Sequence, residues 1–476
     1  MFVKRGESYH TVPLTQVQPR RFDRSWKTVL EQHGSNPAIY AADGSVLRNF
    51  CDIESERAAW REKLAAFGTG DCVLSALGND PSFPALILAS WDKGLIVTPV
   101  EPGLPGGQLD GILELTKAQG LISADGVFRF RQEPIAWQHP RPDMLKLTSG
   151  TTGTPRAIRV RETHLFADCR NICTTMGIAQ KDVNYGVIPF SHSYGFSNLV
   201  TPLLFQGTRL VCATDPMPRA IHDGLHHSGA TVFPGTPALF QAVGSLADAT
   251  ELHSVRLCIS AGAPLTPEIS RQFYGKYGLK IHSFYGSSEC GGIAYDRTDE
   301  TELPSGFAGR PMDGVKVLRI ENDRIAVEGE NVADGYFPHS EAAILNGERF
   351  VPGDIIEWSD SGMRLIGRVT DVVNVAGKKV HPSIVEEHLR KLSGVIEAVV
   401  FGIPSAVRNE DLVAYVRCSP AISRQALENH CHNGLSSWQI PREFRILSEM
   451  PVNTRGKINR ADLAKSHLQS RAKHGR

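Results

Sequence analysis

The chain has 476 residues, enough for more than one hydrophobic core, and its 41% hydrophobic and 21% charged residues are typical of a globular protein. Lys plus Arg and Asp plus Glu both total 51, and this balance argues against nucleic acid or an anionic membrane as the main partner. The sequence contains no signal-like stretch and no apolar run of about 18 residues. Nine scattered cysteines are expected to be reduced thiols. We therefore expect a cytoplasmic protein without a membrane span.

Short apolar runs alternate with helical patterns through the first 290 residues. Thr266, followed by Pro267 and Glu268, has the composition of a helix start, with a capping hydroxyl, a first-turn proline and a first-turn acid. Strand–helix alternation predicts parallel sheets covered by helices. The predicted strands span 73–77, 95–100, 184–189, 208–212, 256–260 and 280–284, and the predicted helices include 81–89 and 266–277.

After about Pro311 the pattern favours strands. Residues 315–320 and 324–328 flank a polar turn and predict a hairpin. From Gly367 onward the pattern predicts a small α+β unit, and the polar residues 466–476 are expected to fray. We therefore predict an α/β protein with a large N-terminal domain of parallel-rich sheets, a β-rich subdomain at about 311–366, and a smaller α+β domain.

A dense run of hydroxyls and glycines follows the predicted strand that ends near Leu147. Glycines allow backbone N–H groups to approach an anion, and the hydroxyls add donors, so the run predicts a phosphate-binding loop. It lacks the Gly-Lys-Ser/Thr of a Walker A loop, and the alternative is a solvated turn. The candidate phosphate-binding residues are Thr148, Ser149, Gly150, Thr151, Thr152, Gly153, Thr154 and Arg156.

Six further motifs follow this loop along the chain: Pro189-Phe190-Ser191-His192-Ser193-Tyr194-Gly195, Ser260-Ala261-Gly262-Ala263-Pro264, Tyr285-Gly286-Ser287-Ser288-Glu289, Pro352-Gly353-Asp354, Gly367-Arg368-Val369-Thr370-Asp371 and Asn453-Thr454-Arg455-Gly456-Lys457. In this order, the loop and the six motifs resemble the adenylate-forming superfamily, which includes acyl- and aryl-CoA ligases, peptide-synthetase adenylation domains and luciferases. The resemblance implies an N-terminal adenylation domain at 1–366, a hinge at 367–371 and a mobile C-terminal domain at 372–476.

The resemblance also implies roles for individual residues. Lys457 would bridge the acid's carboxylate and the α-phosphate, Glu289 would bind Mg²⁺, and His192 would line the acyl pocket or gate it. Without the motif, His192 would be taken for a core histidine. The expected nucleotide-binding residues are Gly262, Ala263, Pro264, Tyr285, Gly286, Ser287, Ser288, Asp354 and Arg368. Tyr285 would stack on adenine or, alternatively, pack in the core, and Asp354 would bind the ribose or merely end a turn.

The acyl pocket is expected to be lined by aromatic, small and weakly polar residues: His192, Tyr194, Phe196, Phe233, Gly235, Thr236, Cys290 and Gly291. These segments contain no evident buried cation or acid, so an apolar fatty or aromatic acid is favoured. The glycine pair Gly291-Gly292 is expected to leave room for a chain or ring. Two positions depart from the family pattern, Arg156 in place of lysine and Thr370 in place of the usual hinge Asp or Lys.

Three functions are consistent with these residues. The first is a ligase that uses ATP, Mg²⁺ and coenzyme A. The second is a stand-alone adenylation enzyme that loads the phosphopantetheine of a carrier protein in trans. The third is a non-catalytic binding module, which the presence of Lys457, Glu289 and Asp354 disfavours. The thiol tunnel is expected near Thr370, Gly377 and Lys378, although Lys378 could also lie in a solvated turn. The protein could act as a monomer or a dimer.

Overall fold

The structure, a computed structural model, describes residues 21–130, 132–137, 140–148, 156–405, 407–451 and 459–474, with side chains described up to residue 471. The helices are α1 Arg21–His33, α2 Phe50–Lys63, α3 Phe83–Asp92, α4 Gly106–Thr116, α5 Glu162–Met176, α6 Ser193–Gly195, α7 Thr201–Gln206, α8 Pro218–His227, α9 Pro237–Gly244, α10 Pro267–Tyr277, α11 Pro382–Arg390, α12 Arg424–His432 and α13 Arg460–His474. A π-helix at Phe196–Val200 joins α6 to α7, and a 3₁₀ turn covers Val369–Asp371.

The strands are β1 Pro37–Ala41, β2 Val46–Asn49, β3 Cys72–Ser75, β4 Ile96–Pro99, β5 Gly120–Ser123, β6 Gly126–Arg129, β7 Met144–Thr148, β8 Arg156–Val160, β9 Val183–Gly186, β10 Arg209–Cys212, β11 Val232–Gly235, β12 Leu257–Ser260 and β13 Ile281–Ser287. The later strands are β14 Gly291–Tyr295, β15 Phe307–Pro311, β16 Lys316–Ile320, β17 Arg324–Glu328, β18 Gly335–Phe337, β19 Arg349–Phe350, β20 Asp354–Ser359, β21 Gly362–Arg368, β22 Val373–Val375, β23 Lys378–Val380, β24 Val395–Ser405, β25 Asn409–Cys418 and β26 Glu443–Ile446.

Two large sheets organise the part before residue 369. One has the order β2-β1-β10-β9-β11-β12-β13-β14-β15-β21-β20, and its run from β1 to β13 is parallel. The other has the order β18-β8-β7-β4-β3-β5-β6 and is parallel from β7 to β5. The buried strands are apolar on both faces, as expected for parallel sheets covered by helices. The predicted α/β class is therefore confirmed.

The predicted β-rich segment at about 311–366 is indeed rich in strands, but these do not form one sheet. The predicted hairpin exists as β16 and β17, which pair in antiparallel register and join β19. However, β20 and β21 extend the eleven-stranded sheet, and β18 lies at the edge of the seven-stranded sheet. Pairing with distant strands, which the local pattern does not encode, distributes this segment over three sheets.

The part after residue 372 has its own hydrophobic core. Strands β22 to β26 form a sheet, and α11 and α12 pack on one side of it. Helix α13 packs on the other side and continues to His474. The expected fraying is therefore wrong for residues 466–474, which are helical, and His467 is fully buried with its Nδ1 3.1 Å from the Tyr415 hydroxyl. Residues 475 and 476 lie outside the described residues.

Two further sequence expectations can be compared with the structure. No helix in the described part of the chain combines the length and apolarity needed to cross a bilayer. All nine cysteines fall within the described residues and are unpaired. Cys169 and Cys173 lie one turn apart on α5 with their sulfurs 4.0 Å apart.

Candidate active site

The carboxyl ends of the central parallel strands meet along one edge of the eleven-stranded sheet. Strands β9, β11, β12 and β13 run in the same direction and end at Gly186, Gly235, Ser260 and Ser287. Each is followed by one of the predicted acyl-pocket or nucleotide segments. Ligands of open α/β sheets bind outside such strand ends, so the topology gathers segments that lie more than 90 residues apart in the sequence.

A hydrogen-bonded cluster surrounds Asp354 at the start of β20. The Tyr285 hydroxyl donates to Asp354 Oδ2 at 2.7 Å, and Arg368 Nε donates to Asp354 Oδ1 at 3.0 Å. The Asp354 carboxylate raises the pKa of Arg368, and burial raises the pKa of Tyr285. Three predicted nucleotide-binding residues are thus brought together.

The Tyr285 ring is only 8% exposed, so in this conformation it packs as the core alternative expects. Its hydroxyl, rather than its ring face, reaches the cluster. Stacking of the ring on adenine remains a prediction.

Glu289 is linked to the end of the phosphate loop through Tyr336. The Tyr336 hydroxyl donates to Glu289 Oε1 at 2.9 Å, and the Arg156 guanidinium lies 5.2 Å from the centre of the Tyr336 ring. Arg156 also pairs with Glu341 at 3.0 Å. The predicted phosphate-binding cation therefore already has an anionic partner, which a bound pyrophosphate would have to replace or share.

The motif at 189–195 lies next to the Tyr285–Glu289 motif. Ser193 Oγ donates to Ser288 Oγ at 2.8 Å, and the Tyr194 hydroxyl donates to the Ile259 carbonyl at 2.9 Å. His192 is exposed, and its Nδ1 accepts from the Tyr194 N–H at 3.5 Å. The core-histidine alternative for His192 is therefore wrong, and its ring is accessible at the start of α6.

Two of the expected acyl-pocket residues belong to the hydrophobic core in this conformation. Phe196 is 1% exposed and packs edge-on against Phe83, while Phe233 is fully buried against Tyr185 and Phe240. Neither ring offers an accessible surface to an acid in this conformation, because both rings are buried in the hydrophobic core. Thr236, which caps α9, and Gly235 lie at the same strand end.

The expected space at Gly291 and Gly292 is also filled. A Cβ on Gly291 would lie 2.1 Å from Asp168 Oδ1, and one on Gly292 would lie 2.4 Å from the Met312 sulfur. Gly291 also has a φ of +67°, which favours glycine. The glycines therefore permit close packing of neighbouring side chains, and the expectation that they leave room for the acid is wrong. Cys290, directly before the two glycines, is also buried.

The remaining predicted nucleotide residues lie on accessible backbone. Gly262, Ala263 and Pro264 are exposed in the loop after β12, and Gly262 has a φ of +87°. Gly286 is exposed near the end of β13, and Ser287 and Ser288 are half-buried. Gly286, Ser287 and Ser288 directly follow Tyr285 of the Asp354 cluster, so their backbone N–H groups lie close to it, as a nucleotide site requires.

The residues expected at the hinge and thiol tunnel lie apart from these clusters. Thr370 is exposed within the 3₁₀ turn, and Gly377 donates its N–H to Asn374 Oδ1 at 2.9 Å in the turn between β22 and β23. The Lys378 ammonium lies 3.5 Å from the centre of the Trp438 ring. Lys378 therefore makes a cation–π contact within the C-terminal part.

Part of the predicted site lies outside the described residues, namely Ser149, Gly150, Thr151, Thr152, Gly153, Thr154 and Lys457. The flanks of the phosphate loop are described: Thr148 ends β7, Arg156 begins β8, and the two residues face each other in antiparallel register. The loop therefore connects two strands of a hairpin whose ends are fixed by the sheet.

One charged group at the site was missed by the sequence reasoning. Lys146 lies in β7, two residues before Thr148, and is only 6% exposed. Burial lowers the pKa of its ammonium, and the nearby Asp168 carboxylate opposes this shift. The available signal was a lysine within the otherwise apolar run Met144–Leu147, next to the phosphate loop.

Comparison with known proteins identifies the same two-part organisation. The model of AMP-binding enzymes matches residues 131–337, and that of the AMP-binding enzyme C-terminal domain matches residues 384–457. A sulfoacetate–CoA ligase of Cupriavidus necator is 27% identical over 456 residues, covering 84% of this chain and 88% of that protein. A 3,4-dihydroxybenzoate–[aryl-carrier protein] ligase of Bacillus anthracis is 26% identical over 344 residues, covering 72% and 78%.

Among solved structures, ATP-bound MatB from Rhodopseudomonas palustris superimposes with a TM-score of 0.83 over 94% of this chain and 98% of that chain, at 20% identity. This likeness confirms the fold. Together the two family models span most of the motifs quoted above, and they confirm the resemblance drawn from the sequence. The chain belongs to the adenylate-forming superfamily of AMP-binding enzymes.

Proposed function

We propose that this enzyme joins a carboxylic acid to the thiol of coenzyme A in two steps at one site. In the first step a carboxylate oxygen attacks the α-phosphorus of ATP, and the bond to the leaving pyrophosphate breaks. In the second step the thiol sulfur attacks the acyl carbon of the acyl-AMP, loses its proton, and AMP leaves. The first step brings two anions together, so the site must supply positive charge.

The observation that carries this proposal is the Asp354 cluster at the edge of the sheet that also presents Glu289. Asp354 is oriented by Tyr285 on one oxygen and by Arg368 on the other. Each carboxylate oxygen has a further lone pair for a ribose hydroxyl. Arg368 keeps a guanidinium next to that position, where it can also contact a phosphate.

The charges expected for the first step come from both parts of the chain. Lys457 of the C-terminal part would offset the negative charge that builds up between the carboxylate and the α-phosphate. Arg156, at the end of the phosphate loop, would bind the pyrophosphate with its planar fork of donors. His192 is exposed at the mouth of the acyl segment and would close over the acid.

Glu289 is a suitable ligand for Mg²⁺ held mainly by the phosphates of ATP. Its carboxylate is half-buried, and Tyr336 fixes one of its oxygens. No group of three or more His, Cys, Asp or Glu side chains gathers as a metal site among the described residues. A single carboxylate is the usual protein share for Mg²⁺ on a nucleotide. The ion would neutralise phosphate charge as pyrophosphate leaves.

The acid is proposed to be apolar, either fatty or aromatic. Tyr194 and Thr236 are half-buried and present weakly polar surface near the strand ends, and no Asp, Glu, Lys or Arg lies at 192–197 or 233–237. Lys146 is a buried cation nearby, but Asp168 offsets its charge. It therefore gives no reason to expect a second anionic group on the acid, as in the sulfoacetate of one relative.

Coenzyme A is favoured over a carrier protein as the acceptor by the Lys378 turn. Lys378 and Lys379 are exposed next to Gly377, and Trp438 lies beside Lys378. Cations with an aromatic surface suit the phosphates and base of coenzyme A. The alternative acceptor is the phosphopantetheine of a carrier protein, the partner named for the Bacillus anthracis relative.

A pyrophosphate-release assay with a panel of fatty and aromatic acids tests this proposal. We expect acid-dependent release that requires ATP and Mg²⁺, and a thioester that forms when coenzyme A is added. A thioester with a carrier protein but not with coenzyme A would identify the alternative acceptor. Binding of ATP without pyrophosphate release for any acid would identify a non-catalytic module.

A further inference from the structure

The segment Glu289–Gly292 is held by buried side chains that come from two other parts of the chain. Asp168 of α5 accepts the Gly292 N–H at 2.9 Å. Asn331 donates to the carbonyls of Cys290 and Gly292, and the Ala333 N–H donates to the Glu289 carbonyl at 2.9 Å. The backbone directly after Glu289 is thus fixed by polar groups that water scarcely reaches.

Asp168 is the anion in this arrangement, and it lies directly against the segment. Its side chain is 3% exposed, and a Cβ on Gly291 would overlap its carboxylate. Its second oxygen, Oδ2, has no hydrogen-bond partner among the described residues. A buried carboxylate that accepts so few hydrogen bonds is costly unless a cation offsets its charge.

Lys146 is the cation that acts on Asp168, across a small cavity and not through a direct ion pair among the described residues. Its ammonium, Asp168 and Asn331 line one small cavity together with Glu289 and Gly291. Lys146 Nζ donates to Ser197 Oγ at 3.5 Å, in the π-helix that follows the His192 motif. Because Lys146 lies two residues before Thr148, it connects the strand that enters the phosphate loop to the segment that carries Glu289.

We propose that Lys146 and Asp168 form a buried positioning pair that holds the Glu289–Gly292 segment in place for the adenylation step. Neither side chain needs to touch a substrate. Asp168 fixes the backbone through the Gly292 N–H. Burial raises the pKa of Asp168, and the nearby Lys146 ammonium opposes that shift. This inference rests on the proposed function only in its kinetic consequences, because the pair and the segment exist without substrate.

Three variants distinguish the contribution of each side chain from the contribution of their interaction. They are Lys146→Met, Asp168→Asn and the double variant Lys146→Met/Asp168→Asn. Lys146→Met leaves a buried charge without its partner, which is strongly destabilising, whereas removing both charges is often tolerated. Asn at position 168 keeps an oxygen that can accept the Gly292 N–H. The double variant therefore tests the pair even if Lys146→Met does not fold.

The first readout needs no catalysis. We expect the unfolding free energies of the four proteins to be non-additive, with the double variant more stable than Lys146→Met. We also expect amide hydrogen exchange at 289–292 to be faster in Lys146→Met than in wild type. Additive unfolding free energies, or unchanged exchange at these amides, would overturn the proposal whether or not the protein is a ligase.

The second readout is the Mg²⁺ concentration that gives half-maximal acyl-adenylate formation. If Glu289 is misplaced, this Mg²⁺ concentration should rise roughly tenfold in Lys146→Met, as is typical when the residue that supports a metal ligand is lost. In the double variant the Mg²⁺ concentration should return most of the way to the wild-type value. Asp182→Asn is a matched control. Asp182 is 1% exposed and pairs with Arg256 at 2.6 Å before β9, at the opposite end of the strands. The control should lose stability without a change in Mg²⁺ requirement.

An unchanged Mg²⁺ requirement in Lys146→Met, with non-additive stability, would show a purely structural pair and would overturn the positioning role. If the proposed function itself is wrong, the result is distinguishable, because the wild-type protein then releases no pyrophosphate with any acid. In that case the unfolding and exchange measurements still decide whether the pair holds the segment.

Discussion

Tyr336 joins two charged residues of opposite sign at the site. Its hydroxyl donates to Glu289, and its ring lies beside the Arg156 guanidinium. A hydrogen bond from a phenol restricts the rotamer of the carboxylate, and the stacked guanidinium restricts the ring. The expected metal ligand and the expected phosphate-binding cation are therefore oriented by the same side chain.

Glu289→Gln should raise the Mg²⁺ concentration needed for half-maximal pyrophosphate release by roughly tenfold, because a neutral amide is a weaker ligand for a hard cation. A titration of the initial rate with Mg²⁺ at saturating ATP measures this. Glu328→Gln is the matched control, since Glu328 pairs with Lys316 in the β16–β17 hairpin. Superimposable titration curves for Glu289→Gln and wild type would exclude Glu289 as the ligand.

Lys457→Ala should slow acyl-adenylate formation by roughly 10²–10³-fold, since it removes the charge placed where two anions meet. Thioester formation from supplied acyl-adenylate should be nearly unaffected. The two half-reactions are measured separately by pyrophosphate release and by thiol consumption. Lys465→Ala, which removes an exposed lysine of α13, is the control. An equal fall in the rates of both half-reactions would contradict a specific role of Lys457 in adenylation.

At the scale of elements, α5 begins with a buried polar arrangement next to the Lys146 cavity. His164, in the first turn, accepts the Arg161 N–H through Nδ1 at 3.2 Å and is 5% exposed. Arg161 in turn pairs with Asp334 at 2.9 Å. Burial lowers the pKa of His164 to about 4, although Asp334 opposes the shift. His164 is therefore neutral in the folded protein at neutral pH.

Stability should consequently fall in acid. Because the unfolded histidine titrates near its ordinary value of 6.5, the unfolded state binds more protons than the folded state between pH 6.5 and 4. The His164 contribution is complete above pH 6.5 and is lost as the pH falls towards 4, by about 3 kcal/mol. Between pH 7 and pH 5 this loss amounts to about 2 kcal/mol, and His164→Asn should remove most of it, as measured by denaturant unfolding at these two pH values. His253→Asn, at an exposed position, should follow the wild-type curve.

At the scale of the molecule, two sets of polar contacts, here called clamps, hold residues on either side of Thr370 within the expected hinge at 367–371. On one side Arg368 is bound to Asp354, and the Val369 N–H donates to the Gly353 carbonyl at 2.8 Å. On the other side Asp371 pairs at 3.0 Å with Arg460, which lies three residues after Lys457 in the sequence. Arg460 also pairs with the buried Glu386. Thr370 is the residue between the two clamps, which makes it the candidate pivot.

Thr370→Pro should therefore impair one half-reaction and spare the other. One fixed arrangement cannot present both Lys457 and the Gly377 turn to the same site, so the C-terminal part is expected to rotate between two states. Proline fixes φ near −65° and removes a donor, which traps one state if the two need different angles. Both half-reactions and the melting temperature are measured. A stable Thr370→Pro protein with both rates unchanged would show that the pivot lies elsewhere, and Thr370→Ala controls for loss of the side chain.

The sequence alone determined the family, the fold class and the principal site motifs. Helix starts depend on local backbone chemistry, so the start of α10 after Thr266 could be predicted without a structure, although the Thr266 hydroxyl makes no capping hydrogen bond. The phosphate-binding role of Thr148–Arg156 stays a prediction. The hairpin of β16 and β17 and the helix α10 were predictable for the same reason, because hydrophobic period and turn residues act over short distances.

Only the tertiary structure decided which groups face one another. Gly291 and Asp168 meet across two elements, and whether a glycine leaves room or lets a neighbour approach depends on that neighbour. Phe196 and Phe233 were assigned to the pocket from their motifs, yet packing against distant rings placed them in the core. Lys146 and Asp168 illustrate the same limit. A charge in an apolar strand is locally unfavourable, and the groups that line the same cavity, Asp168 of α5 among them, come from distant parts of the chain.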